Sequence, residues 1–450
     1  MVANKMETMG IKKLVITMAL PPLLSMFMQY SYNLIDSGFV AQISEDALTA
    51  ISLSFPLTTL MNALSIWLGV GVNILVARYL GRKEQENANN IAYIGLLLSI
   101  IVGIISNIAC LLVLKPYFAF FTDNPLIYQY CIDYMSICAF MQIPNMVHIV
   151  IQKTLQGTGN MLAPMGFQMI GVIFNIIFDP LLIFGYGIFP KLGIKGAALS
   201  TVLGFSLSMI IALYMLFFTK QKVKITKSSC HINLRFVKAI FVIGFPSFIM
   251  NALNAFMVTI CNVFLIVYSL TAVTFFGVYY KIQQVVVMTM NGLIQGVLPI
   301  MSYSYGAKKL DRLNETFKFG LECNLTFMVI ATLIMFIFPK EILLVFNATE
   351  DLLNIGVSGT RIMCLSYLFI GASLMIATYF QACKKVSISI IINLLRQLVI
   401  LFPIMYLLSN LFKLNGIWYS FLIAEMLTFI YALTLYLTKK KQLISSLKEN

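Results

Sequence analysis

Charge is what this sequence most lacks. Asp, Glu, Lys and Arg make up 11% of its 450 residues, against about 25% in a soluble globular domain. There are two histidines and two tryptophans, and none of the eight cysteines stands in a CxxC pair. So little charge excludes a soluble enzyme, a disordered chain and a nucleic-acid-binding protein. With only His148 and His231, metal and haem chemistry lose their usual ligands, and His148 is expected as a packed core residue. Cys110, Cys131, Cys138, Cys230, Cys261, Cys323, Cys364 and Cys383 fall mostly inside apolar runs. They are expected as small buried hydrophobes, neither a disulfide framework nor a zinc site.

What fills the chain is apolar. It carries 35 Phe and 26 Met in a composition that is 60% hydrophobic, and its mean hydropathy is +0.90. This is the composition of a polytopic membrane protein whose constant partner is the lipid bilayer. At about 20 apolar residues per span, the chain holds twelve helices and no sizeable soluble domain. The spans are expected at 12–40, 47–78, 91–114, 130–152, 161–185, 195–218, 236–267, 271–302, 317–338, 355–381, 387–410 and 415–437. The first apolar run contains Pro21-Pro22 and no small-residue cleavage pattern, so it is expected as a span and not as a removed leader.

The formal charge of +14 is explained by topology. With a cytoplasmic N-terminus, 23 of the 31 basic residues fall in cytoplasmic segments and five (Lys115, Lys191, Lys195, Lys340 and Lys413) in outer loops. The outer loops collect Glu45, Asp46, Asp123, Asp133, Glu341, Glu350 and Asp351 instead. That bias is the positive-inside pattern of an even number of spans with both termini cytoplasmic.

The longest cytoplasmic link, rich in Lys, lies at the midpoint, and the two sides of it match. Gly81 and Gly306 stand 225 positions apart, as do Gln156 and Gln381; Pro180 and Pro403 stand 223 apart, and Gly196 and Gly416 stand 220 apart. The expected domains are therefore an N-terminal lobe of six spans at 1–219, a basic linker at 220–238 and a C-terminal lobe of six spans at 239–450. Two parallel repeats related by an axis along the membrane normal are typical of transporters.

Ionisable residues inside spans are expensive, about 2.5–3.5 kcal/mol at mid-helix on insertion scales, and each calls for a reason. Gln29, Tyr32 (or Asn33) and Asp36 are spaced three or four apart and share a helix face downstream of the Pro21-Pro22 bend. Asp36 is either a member of a buried site or solvated at the outer end of the helix. Asn175 and Asp179 are i and i+4, with Pro180 freeing backbone carbonyls beside them. Together these make an all-oxygen nest for Na⁺ or H⁺, or else a polar cluster at a helix bend. The second repeat has Cys261 and Phe402 at the equivalent positions, so both acids are private to the first repeat. Two such acids in a low-dielectric lobe titrate as a coupled unit. In the second half Lys281, Arg396 and Glu425 are expected as buried charges. Arg396 and Glu425 read as an ion pair tying helices together, with gating or substrate contact as the alternative.

Leu20-Pro-Pro, Asp36-Ser-Gly-Phe-Val, Ala47-Leu-Thr-Ala-Ile-Ser, Gln156-Gly-Thr-Gly-Asn, Asn175-xxx-Asp179-Pro180 and Gly196-Ala-Ala-Leu-Ser-Thr201 together resemble multidrug and toxic compound extrusion (MATE) transporters. Within them, the pattern is similar to the bacterial DinF-like and MepA-like branch. The resemblance covers essentially the whole chain. It implies two six-helix bundles, a central cavity and alternating access powered by Na⁺ or H⁺, with Asp36, Asn175, Asp179 and Thr201 as the cation site. Gln29, Tyr32 and Gln152 would line the substrate pocket. Where another branch of the family has acids in its second lobe, this chain has Asn254 and Gly371.

These readings make the chain an efflux antiporter of a bacterial inner membrane, with no cofactor beyond its coupling ion. It would act as a monomer on bulky, amphipathic, drug-like cations, with Met and aromatic side chains as an adaptable wall. The alternative is a flippase for lipid-linked saccharides, which calls for several basic residues facing its cavity; only Lys281, Arg361 and Arg396 are candidates. A membrane-embedded enzyme would need a nucleophile–base or metal constellation, and the spans carry none.

Overall fold

A computed structural model describes residues 5–225, 230–344 and 350–448. Among these the regular elements are helices, in the order α1 (Lys5–Thr8), α2 (Ile11–Ala41), α3 (Glu45–Gly81), α4 (Gln85–Phe121), α5 (Pro125–Ala139), α6 (Gln142–Gly157), α7 (Leu162–Phe184), α8 (Ile194–Phe218), α9 (Leu234–Ile266), α10 (Leu270–Gly306), α11 (Leu310–Ile337), α12 (Pro339–Leu344), α13 (Glu350–Cys364), α14 (Tyr367–Ala382), α15 (Val386–Leu394) and α16 (Leu401–Lys448). Ten runs are long and apolar enough to cross a membrane, and α5 with α6 makes one more, bent by 43°. The tenth run covers 55 residues, Val386–Lys440. At 1.5 Å per residue that is far longer than one crossing of a ~30 Å hydrocarbon core. It breaks at Lys413 (φ 51°, ψ −131°), which divides it in two and brings the spans to the expected twelve.

The duplication is written in the backbone. Ser44 and Ser269, 225 positions apart, cap α3 and α10 alike, each side-chain oxygen accepting from the N–H three residues on, at 3.1 and 3.0 Å. Positive φ recurs at matching turns: Lys83 with Lys308, Gly159 with Lys384, and Gly193 with Lys413.

Packing divides the chain into two compact units, one made of Met1–Ala19 with Ile249–Asn450 and the other of Leu20–Phe248. These differ from the lobes expected at 1–219 and 239–450, because the first stretch of each repeat's lead helix packs with the opposite repeat. In the Leu20–Phe248 unit, α9 lies so close on α3 that a Cβ at Gly71 would overlap the Ile240 carbonyl, and one at Gly244 the Trp67 carbonyl. Trp67 stacks on Phe248 at 4.8 Å and donates from Nε1 to the Phe241 carbonyl at 2.6 Å. In the other unit a Cβ at Gly296 would stand 2.7 Å from the Ala19 Cα. There Lys309 pairs with Glu7 at 2.9 Å, and Arg312 Nη2 donates to the Met6 and Met9 carbonyls. Gly71 and Gly296 are again 225 apart. Each boundary falls within two residues of a proline, Pro21-Pro22 in α2 and Pro246 in α9, where missing backbone hydrogen bonds leave a helix bendable.

Each unit has its own core. Phe275, Tyr279, Tyr367 and Trp418 centre one, and Phe118, Cys131, Met135 and Cys138 with their neighbours form the other. The cysteines are free; six are buried, as expected of small apolar side chains, while Cys323 is half-buried and Cys230 exposed. His148 is a packed core residue, its ring 5.8 Å from those of Phe167 and Phe205.

Candidate ion-coupling site

The site is built on the crossing of α7 with α8. Small residues make it close: a Cβ at Gly196 would meet the Leu182 carbonyl carbon at 2.6 Å, and one at Gly204 would stand 3.4 Å from the Asn175 Cβ. Glycine lets backbones approach and so brings short polar side chains into mutual range. Asn175 Nδ2 donates to Thr201 Oγ1 at 3.3 Å, and Thr201 Oγ1 donates to the Ala197 carbonyl at 3.0 Å. Ser200 Oγ donates to Asp179 Oδ1. Helix α7 continues through Pro180 without a break; the proline still withholds a donor from the carbonyl one turn back, that of Ile176.

Asp36 enters from α2, and its carboxyl lies beside that of Asp179, close enough for the two to interact electrostatically. The two acids, 143 positions apart in sequence, therefore share one enclosure in the Leu20–Phe248 unit. They are deeply buried, Asp179 with 0% and Asp36 with 8% of its surface exposed, beside Asn175 at 3%. Solvation of Asp36 at a helix end is thereby set aside. Three oxygens of this group, Asp36 Oδ1, Asp179 Oδ2 and Asn175 Oδ1, are buried without a hydrogen-bond partner. Unsatisfied buried acceptors are costly, about 1–3 kcal/mol each, and here they belong to a cluster of carboxyl, amide and hydroxyl oxygens. That donor set suits a hard monovalent cation or a proton. The described residues contain no group of three or more His, Cys, Asp or Glu fit for a metal ion.

A second polar chain runs beside it. Gln152 Nε2 on α6 donates to Gln168 Oε1 at 2.7 Å, and Gln168 Nε2 donates to Gln29 Oε1 on α2 at 3.0 Å. Gln29 and Gln152 are thus joined by Gln168, which was not among the expected pocket residues. Its signal was present: Gln168, Asn175 and Asp179 follow helical spacing on one face of α7. Ser200 was overlooked in the same way, beside the expected Thr201. Tyr32 lies in α2, and its side chain is outside the described residues.

In the other unit Arg396 and Glu425 form the expected pair, Nε to Oε1 at 2.9 Å, each side chain 10% exposed. Lys281 corrects the expectation of a buried charge. It is exposed, because on α10 it stands about 200° around the helix from the buried Tyr279.

The MatE family model matches residues 21–181 and again 246–407, two copies whose starts are 225 positions apart. A multidrug export protein MepA of Staphylococcus aureus is 25% identical over 454 residues, covering 97% of this chain and 96% of its own. An FAD transporter of Shewanella oneidensis is 24% identical over 414 residues, covering 90% of each. Among solved structures, a MATE protein in complex with MaL6 superposes with a TM-score of 0.92 at 22% identity, over 100% of both chains. A MOP superfamily transporter from Pyrococcus furiosus gives 0.92 at 22% identity, over 100% of this chain and 99% of that one.

The duplicated, twelve-span helical fold and the MatE match over both repeats define a membrane transporter. The chain belongs to the MatE family.

Proposed function

We propose that the protein is a multidrug efflux antiporter of a bacterial inner membrane, with both termini cytoplasmic. Asp36 and Asp179 exchange the driving ion, Na⁺ or H⁺. The observation that carries this reading is the burial of the two carboxyls side by side, with Asp36 Oδ1, Asp179 Oδ2 and the neighbouring Asn175 Oδ1 unpartnered. An ion or proton satisfies that enclosure, and its departure leaves it electrostatically strained, so occupancy favours one conformation over another. Because α2 brings Asp36 to the site and carries Pro21-Pro22 upstream, ion binding is coupled to the bend of α2. Gln29, Gln152 and Gln168 serve the cargo side of this switch, Asn175 and Thr201 contribute oxygens to the ion site, and Ser200 holds Asp179 in place.

The exported compounds are bulky and amphipathic, in keeping with the names of the MepA relatives. The FAD transporter relative makes flavins a second cargo class for the assay. The flippase reading is weaker: of its three candidate cations Lys281 and Arg361 are exposed, which leaves Arg396, already beside Glu425, as one largely buried cation where that reading calls for several.

The test is efflux from proteoliposomes under an imposed Na⁺ or pH gradient, with ethidium and FAD as cargo. Wild type is expected to respond to one of the two gradients, and Asp36→Asn to neither. Equal gradient-driven export by the two proteins would overturn the proposal.

A further inference from the structure

The Arg396–Glu425 pair sits on an irregular piece of helix. Between α15 and α16 the residues Leu395–Val399 form a π-turn, closed by Ile400 N–H donating to the Leu395 carbonyl at 3.0 Å. Such widened turns occur mostly as single insertions and frequently at functional sites. This one presents Arg396 to Glu425 on α16 and Gln397 to Asn254 on α9, where Gln397 Nε2 donates to Asn254 Oδ1 at 3.0 Å.

For a pair that only ties helices together, the contact is poorly completed. A guanidinium offers five N–H donors in a planar fork that grips a carboxylate with two of them. Here Arg396 Nε stands 2.9 Å from Glu425 Oε1, yet Nε, Nη1 and Glu425 Oε2 are all buried without a hydrogen-bond partner. Gln397 Oε1 and Asn393 Oδ1, on side chains 2% and 3% exposed, are also unpartnered. Among the described residues Glu425 is the only carboxylate within ion-pair distance of Arg396. The group is also foreign to the shared scaffold. Offsets of 223 and 220 place Arg396 and Glu425 against Ile173 and Phe205 of the first repeat, so the fold does without such a pair there. Replacing a buried ion pair by apolar residues of similar volume is often neutral for stability.

We propose that Arg396, with Gln397 and Asn393 beside it, is a subsite for an anionic oxygen group, a carboxylate or a phosphate, and that Glu425 is the internal group the ligand displaces. The ligand takes the two-donor face of the guanidinium that Glu425 leaves open. No covalent step is involved. Glu425 keeps Arg396 neutralised when the subsite is empty, and the unpartnered amide oxygens of Gln397 and Asn393 accept a donor on the same ligand. The proposal rests on the transport reading only in treating such a ligand as cargo, and binding is measured without a gradient. Failure here leaves ion-driven export of cations standing, and failure of export leaves this binding measurement intact.

The experiment uses the full-length protein in a neutral detergent, with fluorescein as an organic anion read by anisotropy and phosphatidylglycerol as the lipid source of the same chemistry, read as a competitor. Wild type is expected to bind fluorescein. Arg396→Gln is expected to weaken that binding at least tenfold, and Glu425→Gln, which removes the internal competitor, to tighten it severalfold. Opposite signs for the two variants separate a binding role from a structural one, in which both would act alike. Arg396→Met with Glu425→Met serves as the fold-preserving control; it is expected to keep a wild-type unfolding midpoint and to bind neither probe. Competition by phosphatidylglycerol assigns the site to a lipid headgroup, and fluorescein binding without it assigns the site to soluble cargo. No binding of fluorescein by wild type, or weakening by both single variants, overturns the proposal.

Discussion

Gly193 and Lys413 hold one backbone conformation, φ 57° and ψ −131° in the first, φ 51° and ψ −131° in the second, each at the turn into the last span of its repeat. Glycine visits that region freely, whereas a side chain bearing Cβ is strained there by about 1–3 kcal/mol. Lys413→Gly is therefore expected to raise the thermal unfolding midpoint of the purified protein, and Gly193→Ala to lower it. A Lys413→Gly protein that melts below wild type would contradict the strain argument.

Asp36 and Asp179 act as one unit because they lie side by side, so their substitutions will not add. Asp36→Asn and Asp179→Asn are each expected to reduce gradient-driven export at least ~10-fold, within the usual range of coupling free energies. The double variant is expected to be no worse than either single one. Initial rates in proteoliposomes measure this, and independent multiplicative losses would show that the acids serve separate steps.

Ser200 donates to Asp179 without itself being an ion-binding acid. Ser200→Ala removes one hydrogen bond to a buried carboxyl, worth about 1.5–3 kcal/mol when the acceptor is charged. The expected result is a shift in the driving-ion concentration at half-maximal export, with the maximal rate kept within a few-fold. Complete loss of export in a properly inserted Ser200→Ala protein would give Ser200 a larger part.

Gly71 and Gly277 both lie inside apolar helices but have opposite surroundings. A Cβ at Gly71 overlaps the Ile240 carbonyl, whereas one at Gly277 meets nothing within 4 Å. Gly71→Ala is expected to destabilise by about 1–3 kcal/mol through overpacking. Gly277→Ala is expected to stabilise by up to ~1 kcal/mol, because alanine restricts the unfolded chain. Gly296→Ala should follow Gly71→Ala. Unfolding midpoints of the three variants settle the comparison.

Much of the candidate site was legible in the chain because its signals are local. Asn175 and Asp179 share a face by helical period alone, and an acid inside an apolar run stands out whatever surrounds it. Gln168 was equally legible by that period but lacks a charge, and Ser200 is one of many hydroxyls that bond within a helix. Neither could be singled out before α7 and α8 were seen to cross. Lys281 shows the converse: a charge inside a span can sit on an exposed face of its helix, and composition does not report the face.

From the order of residues alone came the membrane class, the twelve apolar runs, the duplication and the two acids private to one copy. These follow from hydropathy and helical period, which act over a few residues. The tertiary structure alone decided that Asp36 meets Asp179, that Gln168 joins Gln29 to Gln152, and that the opening stretch of each repeat packs with the other repeat. The last arrangement turns on the missing side chains of Gly71, Gly244 and Gly296. An absent Cβ is felt only where another backbone comes close enough to need the space.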